Sequence, residues 1–262
     1  MRGGLVQLNS SLDWQENLKT IDELISSLQD KNPDAIFLPE CFLSMSNGLE
    51  PSPYLVKEGN EQFQALSDLA QKYQVALIGG SVAYDLDGKV MNRVLNFDRD
   101  GSLMNFYDKN HLFSIELKSK SINKSIDEAD IYTAGTESQT LDYAGFKIGI
   151  NVCFDLRFSE QALGYFNQGC NVLTYASAFT VPTGKAHWHT LLKARAIETQ
   201  SYVIASAQWG EHNERIKTFG HSLVIDPWGE VLIDLEDGVK ADVVELKIEH
   251  VEKIRSRIPM KR

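Results

Sequence analysis

The sequence is poor in three features that mark particular classes of protein. Its three cysteines, Cys41, Cys153 and Cys170, are too few and too odd in number for a disulfide framework, which favours a reducing compartment. No uninterrupted apolar run approaches the ~20 residues that a membrane-spanning helix needs, and the first residues lack the long apolar centre of a signal peptide. Basic residues are outnumbered, with 26 Lys and Arg against 36 Asp and Glu, which disfavours a nucleic-acid partner. We therefore expect a cytoplasmic protein that binds neither membranes nor nucleic acid.

What is present is an alternation of strand and helix patterns along the whole chain. Apolar residues recur at steps of three and four between Trp14 and Leu28, as on one face of a helix, and a short apolar strand follows at Asp34–Leu38. The same order returns later, with a strand at Phe146–Val152 and a helix over residues 187–200. Residues 114–134 show no clear period and are interpreted as a long surface loop. With no internal repeat or linker, residues 1–262 are predicted to form one layered α/β domain.

Hairpins interrupt this alternation in the middle of the chain. Asp87-Gly88 and Asp100-Gly101 lie between alternating apolar and polar runs, and such dipeptides favour tight turns because glycine adopts positive φ without a Cβ clash. A third hairpin is predicted around Asp226-Pro227-Trp228-Gly229.

Three polar residues follow predicted strands, and together they could perform nucleophilic catalysis. Glu40, Lys109 and Cys153 each come at a strand end, where reactive side chains converge in α/β sheets. A thiol needs a base or a nearby cation, which Glu40 and Lys109 could provide, and an ammonium with a backbone N–H could stabilise a developing oxyanion. Taken singly, strand-end Glu and Lys residues are usually solvated, and a cysteine after a buried strand is usually inert. Residue type and position alone therefore leave the choice open.

The sequences around these residues resemble the three signature blocks of the nitrilase, or carbon–nitrogen hydrolase, superfamily, in the family's order. The blocks are Leu38-Pro39-Glu40, Tyr107-Asp108-Lys109-Asn110-His111-Leu112-Phe113 and Asn151-Val152-Cys153-Phe154-Asp155-Leu156-Arg157-Phe158. The resemblance implies a four-layer α-β-β-α sandwich that dimerises and a triad with Glu40 as general base, Lys109 as oxyanion-stabilising cation and Cys153 as nucleophile. It also implies a second glutamate that holds the lysine, and Glu128 matches its position.

A finer resemblance concerns the branch of the family. Residues 177–188 and Arg195-Ala196-Ile197-Glu198 are similar to the Nit-type amidases, which include ω-amidase and deaminated glutathione amidase. This implies hydrolysis of a terminal amide on a small substrate that also carries a carboxylate. Arg157 matches the carboxylate-binding arginine, Thr183 its hydroxyl partner, and Phe154 would contribute its backbone N–H. No metal or organic cofactor is expected, and an N-carbamoyl amidohydrolase or a nitrilase with the same triad is the alternative.

Three rival interpretations depend on other features. His187, His189 and His221 could suggest a metal site, but residues two apart on a helix face different ways, so core or supporting roles are favoured. Cys153 could instead pair with His111 or His187 as a Cys–His dyad. The fold could also serve as a non-catalytic binding module, although all the catalytic residue types are present.

Overall fold

A computed structural model describes residues 1–119 and 122–260 of the chain. Most of its strands belong to two mixed β-sheets. Each sheet has three adjacent parallel strands at its centre and antiparallel strands at its edges. The parallel centres arise because helices connect these strands, whereas the edge strands are joined by hairpins or bring in the C-terminal part of the chain.

In the first sheet, the strands over Arg2–Gln7, Ala35–Phe37 and Ala76–Ile78 are parallel, and the remaining strands are antiparallel to their neighbours. Its strands are β17 (Lys240–Glu245), β1 (Arg2–Gln7), β2 (Ala35–Phe37), β3 (Ala76–Ile78), β5 (Lys89–Phe97) and β4 (Ser81–Leu86), in this spatial order, with β6 (Leu103–Asp108) paired to β5. The turns at Asp87-Gly88 and Asp100-Gly101 confirm the predicted hairpins, and both Asp87 and Gly88 have positive φ.

The second sheet has a parallel centre made of the strands over Phe146–Val152, Val172–Ala176 and Tyr202–Ala205. Its strands, in spatial order, are β16 (Val231–Asp234), β15 (Leu223–Ile225), β12 (Tyr202–Ala205), β11 (Val172–Ala176), β10 (Phe146–Val152) and β9 (Thr140–Tyr143). The predicted strand at Phe146–Val152 and the hairpin around residues 226–229 are therefore confirmed.

The two sheets pack face to face, with helices on their outer faces. Along β1, Leu5 joins the central apolar cluster that also contains Ile148 of the second sheet, whereas the next residue, Val6, joins the outer cluster under the first helices. This alternation is the two-residue period of a strand buried on both faces. The helices are α1 (Trp14–Ser27), α2 (Glu61–Tyr73), α3 (Ser159–Asn167), α4 (Val181–Thr199) and α5 (Ile248–Arg257). The predicted four-layer α-β-β-α sandwich is confirmed.

Helix starts follow ordinary capping chemistry. The Asp13 carboxylate accepts from the backbone N–H groups of Gln15 and Glu16 at the start of α1, and Asn60 caps α2 in the same way. Helix α4 begins at Val181, several residues before the predicted start at 187. The reason is Pro182, whose fixed φ and missing N–H suit the first helical turn.

Residues 114–134 are not the predicted loop. Ser114–Ser119 (β7) and Ile122–Asp127 (β8) form an antiparallel hairpin, and Glu128–Asp130 form one 3₁₀ turn. In the sequence, Ile115 and Leu117 alternate with polar residues, a two-residue period that the surrounding serines and lysines obscure. Residues 120 and 121, part of the same predicted loop, lie outside the described residues. A further hairpin that sequence patterns did not indicate joins β13 (Trp209–Glu211) to β14 (Lys217–Phe219).

No helix in the described part of the chain is both long and apolar enough to cross a bilayer.

Candidate active site

The three predicted catalytic residues lie where strands of both sheets end. Glu40 comes shortly after β2, Lys109 directly after β6 and Cys153 directly after β10. Glu40, Cys153 and Glu128 line one cavity, whereas the Lys109 ammonium lies behind the carboxylates and is fully buried. The cavity is lined by Glu40, Cys41, Met45, Ser46, Gly48, Phe113, Asp127, Glu128, Ile131, Tyr132, Cys153, Phe154, Arg157, Ala178, Phe179, Thr180, Thr183 and Ile216.

Lys109 is held between two carboxylates. Its Nζ lies 2.9 Å from Glu40 Oε1 and 3.0 and 2.7 Å from the two oxygens of Glu128. The Lys109 side chain is 0% exposed and that of Glu40 is 3% exposed, so these are buried, charge-assisted hydrogen bonds. The structure therefore brings the predicted Glu128 into the same cluster as Glu40 and Lys109.

The cluster has one ammonium for two carboxylates, and this imbalance sets its electrostatics. Burial alone would lower the pKa of Lys109, but Glu128 and Glu40 outweigh it and raise that pKa well above its ordinary value. The pKa of Glu128 is also raised, because burial and the charge of Glu40 favour its protonated form while Lys109 opposes this. The lysine therefore stays charged, and it is shared between two carboxylates.

Cys153 opens a 3₁₀ turn, Cys153–Arg157, that follows β10 directly. Its φ is 46°, a left-handed conformation that is unusual for a residue other than glycine and that is often found at functional sites. Burial raises the pKa of its thiol well above the ordinary value; Glu40 raises it further, and Lys109 only partly opposes this. The raised pKa favours the thiol over the thiolate, so Cys153 would need a base to react as a nucleophile.

The predicted substrate-binding residues line the same cavity as Cys153; they are Phe154, Arg157 and Thr183. The Arg157 guanidinium lies 5.8 Å from the Phe154 ring centroid and 5.7 Å from that of Phe179. In the described part of the chain, no carboxylate lies within ion-pair distance of Arg157. Thr183, on the first turn of α4, lines the same cavity, and its hydroxyl lies 2.9 Å from that of Thr180. Carboxylates and Arg157 therefore line the same cavity, and within the described ranges this arginine has no acidic partner.

Comparisons with known proteins agree with this geometry. The carbon-nitrogen hydrolase family profile matches residues 3–255. The chain belongs to that family. Over 271 aligned residues it is 34% identical to a deaminated glutathione amidase of Dictyostelium discoideum, covering 99% of this chain and 92% of that protein. It is also 34% identical to omega-amidase NIT2 of Mus musculus, covering 99% of this chain and 93% of the relative. The crystal structure of Saccharomyces cerevisiae Nit3, a member of branch 10 of the nitrilase superfamily, superposes with a TM-score of 0.86 at 28% identity, covering 100% of this chain and 95% of that one.

Family membership makes this protein a hydrolase of non-peptide C–N bonds. The two relatives above are amidases by name, which indicates small-molecule amides as its substrates. The resemblance seen in the sequence is therefore confirmed at the level of the family and of the Nit-type branch.

The histidines of the hydrolase do not form the alternative Cys–His dyad. His111 Nδ1 lies 2.7 Å from Asp155 Oδ1, and its ring stacks on Phe158 at 3.6 Å between centroids. His187 Nδ1 lies 3.2 Å from an Arg157 nitrogen. Neither histidine is among the residues that line the cavity with Cys153. Glu40, which does line it, is better placed to act as the base.

Asp155 was missed as a functional residue by the sequence analysis, although it lies inside the third signature block. It is fully buried, and Oδ2 accepts from the Tyr107 hydroxyl at 2.7 Å and the Val152 N–H at 2.8 Å. Oδ1 accepts from the backbone N–H of His111 at 3.1 Å and faces the His111 ring. Asp155 therefore ties the turn that carries Cys153 to the loop that carries Lys109. The available signal was an acidic residue two positions after Cys153.

Asn92 was missed as well. The side-chain N–H of Asn92 donates to Glu40 Oε1 at 2.9 Å. The backbone carbonyl of Asn92 accepts from the backbone N–H of Lys109 at 3.0 Å. The contact with Lys109 depends on how β5 pairs with β6, and the contact with Glu40 depends on how β5 lies relative to β2; local sequence patterns reveal neither.

Proposed function

We propose that this protein hydrolyses the terminal amide of a small substrate that also carries a carboxylate, releasing acid and ammonia through a thioester on Cys153. The observation that supports this best is the cavity itself. Cys153, Arg157 and the Glu40 and Glu128 carboxylates that hold Lys109 all line it. The two relatives reported above are named for amides of this kind.

In the first half-reaction, Glu40 takes the proton of the Cys153 thiol as the sulfur attacks the amide carbon. Negative charge builds on the amide oxygen, where the Lys109 ammonium and the Phe154 backbone N–H stabilise it. Because all three donors of Lys109 face carboxylate oxygens, a direct contact with the oxyanion requires the release of one of them. The C–N bond then breaks, Glu40 returns the proton to the nitrogen, and ammonia leaves.

In the second half-reaction, water attacks the thioester carbon while Glu40 accepts a proton from it. Collapse of this intermediate breaks the C–S bond and releases the acid, and Glu40 returns its proton to the sulfur, which restores the thiol. Glu128 holds Lys109 throughout. Residues of this chain supply the nucleophile, the base and the groups that stabilise the oxyanion, so the reaction balances without a cofactor.

The position of Arg157 supports a carboxylate-bearing substrate. A substrate carboxylate would be repelled by Glu40, Asp127 and Glu128, which line the cavity, and attracted to the Arg157 guanidinium, which also lines it. An arginine fork also matches the two oxygens of a carboxylate. Deaminated glutathione and ω-amides such as α-ketoglutaramate both have this form. Thr183 would contribute its hydroxyl to the same end of the substrate.

An N-carbamoyl compound or a nitrile could be attacked by the same triad, and a degenerate binding module would release no ammonia at all. Ammonia release should therefore be measured for deaminated glutathione, α-ketoglutaramate, an N-carbamoyl amino acid and a nitrile. We expect turnover of one of the first two. Turnover of the third or fourth alone would favour the alternative chemistry, and no turnover of any would favour the binding module.

The role of Arg157 can be tested with two amides of equal length, one ending in a carboxylate and one in a methyl group. Replacing Arg157 with Gln should lower kcat/KM for the carboxylate amide by about 10- to 100-fold, because a hydrogen bond to a charged group contributes roughly 1.5–3 kcal/mol. The neutral amide should be nearly unaffected. Lys185→Gln is the matched control, since it removes an exposed cation of α4 that does not line the cavity. An equal loss for both amides would show that Arg157 has only a structural role.

We further propose that residues 1–262 form one domain, that the protein works in the cytoplasm and that it pairs as a homodimer. All three cysteines are free thiols, which suits a reducing compartment. Ile197 on α4 and Trp228 and Leu232 near β16 are 54%, 52% and 44% exposed, and exposed apolar side chains of this size favour an interface. Light scattering should give the mass of a dimer for the native chain and of a monomer for Ile197→Glu. A monomeric native chain would contradict the pairing.

A further inference from the structure

Outside the active site, three side chains from separate segments of the chain converge. His189 lies on α4, His221 lies between β14 and β15, and Asp234 ends β16. His189 Nε2 is 3.1 Å from Asp234 Oδ2, and His221 Nδ1 is 3.0 and 3.1 Å from the two oxygens of Asp234. One ligand atom from each residue can be chosen so that all three lie within 4.8 Å of one another.

This donor set has the composition of a transition-metal site. Two imidazoles and one carboxylate suit Zn²⁺ and its neighbours, whereas Mg²⁺ and Ca²⁺ prefer sites made of oxygen alone. Tetrahedral Zn²⁺ with bonds of about 2.1 Å separates its ligand atoms by about 3.4 Å. Both Asp–His separations are within a few tenths of an ångström of that value, and the ligand atoms of the two histidines lie within 4.8 Å of each other.

The surroundings would hold the two rings in place and leave a route for an ion. Phe219 stacks on His221 at 4.4 Å between centroids and meets His189 edge-on at 6.3 Å. The Trp188 indole N–H donates to the His221 carbonyl at 2.7 Å, which fixes the backbone at a residue with a φ of 54°. The side chains of His189, His221 and Asp234 are 38%, 24% and 26% exposed, so water can reach them and can supply a fourth ligand.

We infer that His189, His221 and Asp234 bind a divalent transition-metal ion of the Zn²⁺ class, which joins α4 to the β14–β15 connection and β16. The site is separate from the amide chemistry, because none of its three residues lines the active-site cavity. Its histidine pair differs from the adjacent pair in the sequence: His187 faces Arg157, while His189 faces Asp234. His187 and His189 are two residues apart on α4 and therefore face different ways. His189 and His221 come from separate segments and both face Asp234.

The test is a Zn²⁺ titration of the full-length protein after dialysis against a chelator, with the bound metal counted by elemental mass spectrometry. Cys153 can also bind Zn²⁺, so the informative quantity is the difference between variants that all retain this thiol. His189→Gln removes one ligand. His250→Gln is the matched control, because His250 is also paired with an aspartate, Asp226, at 2.8 Å but belongs to no such cluster.

We expect the native protein and His250→Gln to bind one more equivalent of Zn²⁺ than His189→Gln does. Loss of an outer partner of a metal ligand already costs about 10- to 100-fold in affinity, so loss of a ligand should weaken this site by at least about 100-fold. Co²⁺ in place of Zn²⁺ should give the intense visible absorption of a four-coordinate ion in the native protein, and His189→Gln should lack it.

Equal stoichiometry and affinity in the native protein and in His189→Gln would overturn the inference. Should His189→Gln fail to fold, Asp234→Asn gives the same test, since it keeps the shape of the side chain and removes its charge. Amidase activity of a folded His189→Gln should equal that of the native enzyme, so failure of the metal site is distinguishable from failure of the proposed reaction.

Discussion

Replacing Lys109 with methionine removes the ammonium from a buried cluster and leaves two carboxylates without their cation. Lys109 is 0% exposed, and Glu40 and Glu128 are 3% and 21% exposed, so water can compensate little for the loss. Breaking a buried ion pair by removing one partner typically costs about 3–5 kcal/mol. We expect the free energy of unfolding of Lys109→Met to fall by about this amount near neutral pH.

The deficit should depend on pH, and its sign follows from the carboxylates. The pKa of Glu128 is already above its ordinary value of 4.5, and loss of Lys109 removes the charge that holds it down. A carboxyl whose pKa is higher in the folded than in the unfolded state binds its proton more tightly when folded. Its contribution to stability is therefore present at low pH and is lost as pH rises. Lys109→Met should be closer to the native protein at about pH 5 than at about pH 8.

Urea unfolding followed by tryptophan fluorescence measures these differences. Lys109→Met/Glu128→Gln removes one charge of each sign and should recover a large part of the loss at the higher pH. Lys72→Met is the control, because it breaks the exposed pair with Asp22 and should leave stability unchanged. A deficit for Lys109→Met that is independent of pH, or a double variant no more stable than the single one, would refute the electrostatic account of the cluster.

Two further predictions concern packing and positioning. Asp155→Asn replaces one acceptor oxygen by an N–H₂ group that faces donors. We therefore expect kcat/KM to fall by at least about 100-fold and the free energy of unfolding to fall by about 1–3 kcal/mol. Native kinetics would contradict the role of Asp155 in positioning Cys153. Gly184→Ala places a Cβ 2.3 Å from Phe219 and should cost about 1–3 kcal/mol in thermal or urea unfolding. Gly164→Ala meets no atom within 4 Å and should stabilise its helix, so equal effects of the two substitutions would be inconsistent with this packing.

Much of the fold was predictable because each sheet is buried and its strands carry strong local signals. The apolar run Phe146–Val152 matches β10 at both ends, and the turn at Asp87-Gly88 occurs where glycine chemistry places it. The errors arose where local signals were weak. The predicted start of α4 is too late, and the signal for the true start is Pro182 in the first turn. Polar residues mask the short alternation of β7–β8, so that this hairpin resembles a loop in the sequence.

The active site was predictable only as far as the signature blocks reach. Those blocks contain Glu40, Lys109 and Cys153, and Glu128 follows from the same resemblance. The partners that hold these residues are determined by tertiary structure. Asn92 lies on β5 and Glu40 follows β2, so their contact depends on how these strands are ordered in the sheet, which no single strand reveals. The convergence of His189, His221 and Asp234 likewise requires three segments to be placed relative to one another.

The central claim is that Glu40 activates the Cys153 thiol beside the Lys109 ammonium, and rapid-quench mass spectrometry of the acyl-enzyme tests it most directly. After mixing with an amide substrate, the native protein should carry the acyl mass on the peptide that contains Cys153. Because general-base catalysis contributes about 10²- to 10⁴-fold, Glu40→Gln should acylate at least about 100-fold more slowly. An acyl group on another residue, or acylation of Glu40→Gln at the native rate, would contradict the account.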